Sequence, residues 1–290
     1  MRRALIWLAT ALLGAGSAQA APASVRDDTG ATITLAQPAR RVISLAPHLT
    51  ELVFAAGGGA QLVGVTRYSD HPAEALKLPQ VGDAFALNLE AIAALKPDLV
   101  LLWSSGTNER AKAQLRALKI AVYESEIRSV DGIAATLRAL GTLMGTEPVA
   151  SAAALQLQTD WRALNQTYAQ RAPVRVFYQL WHEPLMTLNG EHLISSAITA
   201  CGGVNVFAAL PTLTSTVSWE AAVKADPQLI ATAATNAADA HLQGWQRFSA
   251  RVSAVRDGRY ALVSGDLIAR MGPRFVQGAQ QLCEAIDKAR

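Results

Sequence analysis

EPVASAAALQLQTDWRALNQTYAQR, residues Glu147 to Arg171, contains no glycine and, after its opening proline, no helix breaker. It predicts one long helix with both ends marked. Thr146 can cap the start, Glu147 complements the positive end of the helix dipole, Pro148 is tolerated in a first turn, and Pro173 forbids continuation. At 1.5 Å per residue such a helix spans roughly 35 Å, the width of a small domain, so it can join two bodies rather than merely connect strands. Ala150, Ala154, Leu157, Trp161, Leu164 and Tyr168 recur at steps of three and four, the stripe with which a helix packs along its neighbours.

The chain before this helix and the chain after it are alike. Asn88 to Val100 (NLEAIAALKPDLV) and Ser218 to Ile230 (SWEAAVKADPQLI) align without a gap at an offset of 220 − 90 = 130. Each has a polar capping residue, a short helix, a proline that ends it, and an apolar strand. Arg41-Val42 before the first strand has its counterpart in Arg175-Val176. The repeat predicts two similar α/β lobes.

The order of elements agrees with that. Strands are expected at Val42–Leu45, Leu62–Val65, Leu99–Trp103 and Ile120–Tyr123, with helices at Thr50–Ala56, Asn108–Leu118 and Val130–Met144. The second half repeats the theme with strands Val174–Gln179, Leu229–Thr232 and Ala261–Val263 and helices Leu193–Ala200, Trp219–Ala225 and Phe275–Lys288. Ala23–Val25 and Thr32–Leu35, around the turn Asp27-Asp28-Thr29-Gly30, predict a hairpin. Alternating β and α gives mostly parallel sheets covered on both faces. The expected class is therefore α/β, two Rossmann-like lobes joined by a rigid interdomain helix. The boundaries are 1–20 for a leader, 21–145 for the first lobe, 146–172 for the helix and 173–290 for the second lobe.

With 51% hydrophobic and 17% charged residues in 290, the chain can bury ordinary cores. Arg2-Arg3, the apolar run Ala4–Leu13 and Ala18-Gln19-Ala20 form the pattern of a secretory signal, with cleavage expected after Ala20. That run is too short to span a bilayer of about 30 Å. Losing Arg2 and Arg3 takes the net charge of +3 to 3 − 2 = +1, which gives no reason to expect nucleic acid as a partner. Two cysteines in an exported chain, Cys201 and Cys283, favour a disulfide over free thiols.

Two facing lobes create a cleft walled by loops at strand ends. Tyr68, Phe85, Trp103 and Trp181 sit at such ends and could meet a large flat ligand with their rings. His48, Asp70, His71, His182, Glu183 and His192 invite a metal reading, but no H-E-x-x-H and no close cysteine pair supports one. The marks of hydrolases, P-loop nucleotide binding and dinucleotide binding are absent as well.

Beyond these readings, several runs resemble a known family. RVISLAPHLTELVFAAG (Arg41–Gly57), VGVTRYSDHP (Val63–Pro72), NLEAIAALKPDLVLLW (Asn88–Trp103), CGGVNVF (Cys201–Phe207) and QQLCEAI (Gln280–Ile286) are similar to the periplasmic cobalamin-binding proteins of ABC importers, in the helical-backbone class of substrate-binding proteins. The resemblance implies capture of cobalamin between two lobes with little hinge motion, delivery to an inner-membrane ABC permease dimer, no resident cofactor and no catalysis, by a monomer. It places Tyr68 and Trp103 on ligand contacts, and Asp266 and Arg270 on a pair lining the cleft. It also pairs Cys201 with Cys283 and puts Glu90 and Glu220 on the lobe tops as transporter contacts. The chain departs from the family pattern at three places. Ala84-Phe85 stands where a tryptophan is expected, Thr214 near a second lost tryptophan, and Leu180-Trp181 where a phenylalanine is expected. Two other readings stay open: a haem or ferric-chelate receptor of the same class using Tyr68, His48 or His182, and an exported metal-dependent enzyme using His48, Asp70 and His182.

Overall fold

The computed structural model describes residues 22–83, 86–168, 170–234 and 241–290. The expected leader and Phe85 lie outside the described residues. The strands are β1 (Ala23–Arg26), β2 (Thr32–Leu35), β3 (Val42–Ser44), β4 (Leu62–Val65), β5 (Leu99–Trp103), β6 (Ala121–Ser125), β7 (Val174–Gln179), β8 (Trp181–His182), β9 (Leu185–Leu188), β10 (Gly203–Asn205), β11 (Thr214–Thr216), β12 (Leu229–Ala233) and β13 (Tyr260–Val263). The helices are α1 (Pro47–Ala55), α2 (Leu89–Ala94), α3 (Glu109–Ala117), α4 (Val130–Met144), α5 (Glu147–Tyr168), α6 (Leu193–Ala200), α7 (Trp219–Lys224), α8 (Ser253–Arg256), α9 (Gly265–Ile268) and α10 (Phe275–Lys288).

Each half builds one parallel four-stranded sheet, in the order β4-β3-β5-β6 in the first and β10-β7-β12-β13 in the second. Helices cover these sheets, so the strands are apolar runs buried on both faces. The β1-β2 hairpin seals the outer edge of β6. Asp28 N–H donates to the Glu124 carbonyl at 3.1 Å, and the Asp27 carboxylate accepts from Glu124 N–H at 3.3 Å. The Asp28 carboxylate also accepts from Ser125 Oγ at 3.2 Å and Glu126 N–H at 2.6 Å.

α5 begins at Glu147, and its expected stripe is its buried face, with Ala150, Ala154, Leu157, Leu164 and Tyr168 inside and Trp161 partly covered. It lies so close to α4 that a Cβ on Gly141 would come within 2.4 Å of the Ala150 methyl. At its far end it meets the second lobe, where the Trp161 and Phe275 rings lie 6.2 Å apart. One apolar core therefore runs from α1 and α4 through α5 to α6 and α10, which makes the two lobes a single packed body.

The internal repeat is structural. Asn88 Oδ1 and Ser218 Oγ accept from the N–H groups of Ala91 and Ala221 at 2.9 and 3.1 Å, and each starts a six-residue helix. After those helices Lys96 and Asp226 turn at positive φ, 46° and 39°. Arg41 Nε donates to the Leu95 carbonyl at 2.8 Å, and Arg175 Nε to the Asp226 carbonyl at 3.0 Å. The next polar side chains tie the sheets together in the same way, Asp98 accepting from Arg41 N–H at 3.0 Å and Gln228 from Arg175 N–H at 3.0 Å.

Some expectations need correction. Thr146 does not cap α5 with its side chain, because its hydroxyl is buried without a partner among the described residues and only its carbonyl enters the helix. α1 starts at Pro47, not Thr50, since a proline at the first helical position loses no hydrogen bond. β6 runs on to Ser125 because Glu124, though charged, is buried against Arg116 at 2.6 Å and Lys112 at 3.4 Å. The small antiparallel sheet β11-β9-β8 was not expected at all.

Candidate functional site

The cleft opens at the C-terminal ends of the first sheet, at Leu45, Thr66, Trp103 and Glu126, and the second lobe faces it with His192, Thr214, Arg270 and Met271. Two cavities share Trp103 and Met271 as their common ridge, one of about 510 Å³ and one of about 330 Å³. The larger is walled by His48, Arg67, Tyr68, Trp103, Arg270 and Met271, and the smaller by Trp103, Glu126, Arg128, His192, Thr214 and Met271.

Tyr68 stands at the mouth of the larger cavity, 69% exposed and at φ 68°. A bulky residue in the left-handed region costs backbone free energy, and such residues concentrate at sites of function. The loop beneath is pinned by Thr50, whose hydroxyl donates to Ser69 Oγ at 3.0 Å. Trp103 ends β5 and lies flat on the chain at Gly106, where a Cβ would stand 2.0 Å from the indole. Its edge meets the His48 imidazole at 5.7 Å and 88°. His48 is 5% exposed, and its Nε2 has no hydrogen-bond partner among the described residues. Burial first, then the nearby Arg270 charge, lowers its pKa to about 4, so the ring is neutral.

Arg270 crosses from the second lobe to the first. It donates to Asp70 at 2.6 Å and to Glu51 at 3.0 Å, and pairs with Asp266 at 2.8 Å within its own lobe. Arg274 adds two hydrogen bonds to the same Glu51, 2.9 and 2.7 Å long. Burial opposes the Arg270 charge, but the hydrogen bonds to Asp70 and Glu51 outweigh it and hold the guanidinium more firmly protonated than usual. The hydrogen bond from Arg270 likewise holds the Asp70 carboxyl below its ordinary range. Two guanidiniums face three carboxylates, so this wall has no spare positive charge for an anionic ligand.

Of the residues singled out from sequence, Tyr68, Trp103 and Arg270 share one cavity. Asp266 reaches the site only through Arg270, its side chain 63% exposed. Trp181 lines neither cavity. It is 54% exposed and donates from its indole to the Glu183 carbonyl at 3.0 Å, beside a stack of His182 on His241 with ring centroids 3.8 Å apart. Glu90 and Glu220 are exposed in the first turns of α2 and α7. Cys201, at the end of α6, is bonded to Cys283 of α10. Among the described residues, no three histidine, cysteine, aspartate or glutamate side chains converge to hold a metal ion, and no helix is long and apolar enough to cross a membrane. Sequence reasoning did not find Glu51 or Arg274, nor Met271 as the ridge of the cleft.

Residues 42–264 match the family model described as periplasmic binding protein. The chain belongs to this family, which implies a solute-binding role in the periplasm. It is 37% identical over 246 residues to the vitamin B12-binding protein of Vibrio cholerae serotype O1, covering 85% of this chain and 88% of that one. The vitamin B12-binding protein of Pectobacterium carotovorum is 36% identical over 249 residues, 85% of this chain and 88% of the relative. Among solved structures, the periplasmic vitamin B12 binding protein BtuF of Vibrio cholerae superposes with a TM-score of 0.80 at 37% identity, over 87% of this chain and 98% of that one. A periplasmic heme binding protein from Pseudomonas aeruginosa superposes at 0.72 with 26% identity, over 86% and 92%.

Proposed function

We propose that this protein captures cobalamin in the interlobe cleft and delivers it to an inner-membrane ABC importer, binding its ligand without turning it over. The observation that carries the reading is the pair of cavities joined along Trp103 and Met271, with Tyr68 at the mouth. An open, ring-lined trough suits one face of a corrin better than a small solute. Arg270 is already matched by carboxylates, which favours a ligand rimmed with neutral amides over one rimmed with carboxylates. Similarity to vitamin B12-binding proteins from two genera points the same way.

In this reading the leader is removed after Ala20, the mature chain acts as a monomer with no resident cofactor, and the lobes move little because one core unites them. Glu90 and Glu220, at matched places on the two lobes, meet a permease dimer of matching two-fold symmetry. Calorimetry of the mature protein with cyanocobalamin and with haemin, run in parallel, tests the ligand. One-to-one binding of cyanocobalamin supports it, and binding of haemin alone overturns it.

A further inference from the structure

We infer that His192 is a specificity-determining residue of the cleft, whose Nε2–H donates a hydrogen bond to an acceptor oxygen on the bound corrinoid, such as the carbonyl of a peripheral amide. The inference rests on the cobalamin-capture reading and adds to it a residue and a polarity.

His192 occupies the capping position of α6, in extended backbone at φ −71° and ψ 141°, where serine, threonine, aspartate or asparagine is usual. Its Nδ1 accepts the N–H of Ile194 at 3.1 Å. A ring nitrogen that accepts carries no proton, so the neutral imidazole must hold its proton on Nε2. Burial lowers the pKa of the ring and keeps it in that neutral form. The helix thus sets the tautomer of a side chain whose other end is free.

That other end belongs to the cleft. His192 lines the smaller cavity together with Trp103, Thr214 and Met271, and its Nε2 has no hydrogen-bond partner among the described residues. On the opposite wall the Glu126 carboxylate is already engaged, while the Trp103 indole N–H has no partner among the described residues. Glu126 accepts from Ser105 N–H at 3.0 Å and from Ser105 Oγ at 3.2 Å, and lies 3.7 Å from Arg128. On the second lobe's side His192 brings an N–H whose direction and protonation are fixed before a ligand arrives, which lowers the entropy lost on binding. The same geometry rules out one role. With Nδ1 occupied by the helix and Nε2 protonated, the ring has no lone pair to give a metal at the centre of a macrocycle.

His192→Asn separates the two jobs, because asparagine is a good helix cap but cannot reach where the imidazole Nε2 stood. The melting temperature should stay within a degree or two of wild type. Affinity for cyanocobalamin should fall about threefold to tenfold, the share of one neutral hydrogen bond. In ¹⁵N NMR of the labelled protein the His192 ring should show a protonated Nε2 and a bare Nδ1, and cyanocobalamin should shift Nε2 while leaving Nδ1 in place. Wild-type binding that His192→Asn leaves unchanged, or a free protein whose His192 proton sits on Nδ1, would overturn the inference while sparing the function. Wild-type protein that binds no cyanocobalamin would remove the capture reading and this inference with it.

Discussion

Glu51 and Arg274 belong to different lobes and are joined by two hydrogen bonds, 2.9 and 2.7 Å long, from one guanidinium to one carboxylate. Glu51 is almost wholly buried and also receives Arg270, so a single carboxylate holds two cations from the facing lobe. Removing it takes from Arg274 its carboxylate in the seam and leaves Arg270 with Asp70 and Asp266 only. Glu51→Ala should therefore lower stability by about 2–4 kcal/mol, more than an exposed pair would lose. Urea unfolding measures it, and an unchanged midpoint would show that the seam contributes nothing to cohesion.

His48 makes stability depend on mildly acidic pH. Its pKa is depressed to about 4 in the folded protein, whereas the unfolded chain has an ordinary value near 6.5. Between those values the unfolded state binds a proton that the folded state refuses, so stability is full above about pH 6.5 and declines as the pH falls toward 4. The share of His48 in that loss is on the order of 3 kcal/mol as an upper limit, and His192, whose pKa burial also lowers, adds to it. Asp70 and Asp226, held below the ordinary range, add their losses only at still lower pH. Thermal melts from pH 7 to 4 on wild type and His48→Gln check this. An equal slope for both would assign the loss to other groups.

Much of the architecture could be read from the residues, and the failures share a cause. α4, α6, α10, β5 and β7 have the expected bounds because capping residues, glycines and apolar periodicity are local signals. β8, β9 and β11 have two to four residues each: β8 and β9 make a hairpin too short to show an alternating pattern, and β11 exists only through pairing with β9, far back in the chain. Within the site, Tyr68 and Trp103 were visible as aromatics at strand ends. The ionic seam was not, since Glu51 lies 223 residues from Arg274 and carries no motif. The positive φ of Tyr68 was hidden as well, because tyrosine has no preference for that conformation.

Tyr68 sets binding against backbone comfort. Tyr68→Gly relieves the left-handed strain at φ 68° while removing the ring from the mouth of the cleft. The melting temperature should hold or rise, and cyanocobalamin affinity should fall about tenfold, the worth of one aromatic contact with its buried area. Loss of stability with intact affinity would reverse the assignment.

Glu90 and Glu220 sit at equivalent first turns, both exposed and without ion-pair partners among the described residues. If they contact the importer, replacing both with arginine reverses two charges at the contact and leaves the cleft untouched. Uptake and transporter association should be lost with cyanocobalamin affinity unchanged. Normal transport by the double variant would refute the docking role.

The hairpin that seals β6 bears on the order in which the chain can settle. Asp27 must find Glu124, 97 residues further on, so a chain emerging from its amino end presents the hairpin long before the edge it covers exists. A lone two-stranded ribbon is barely stable in water, and closing so long a loop costs entropy that no nearby contact returns. The hairpin is thus among the last parts of its lobe to find its place, and until then the margin of the nascent sheet stands open to strands of other molecules.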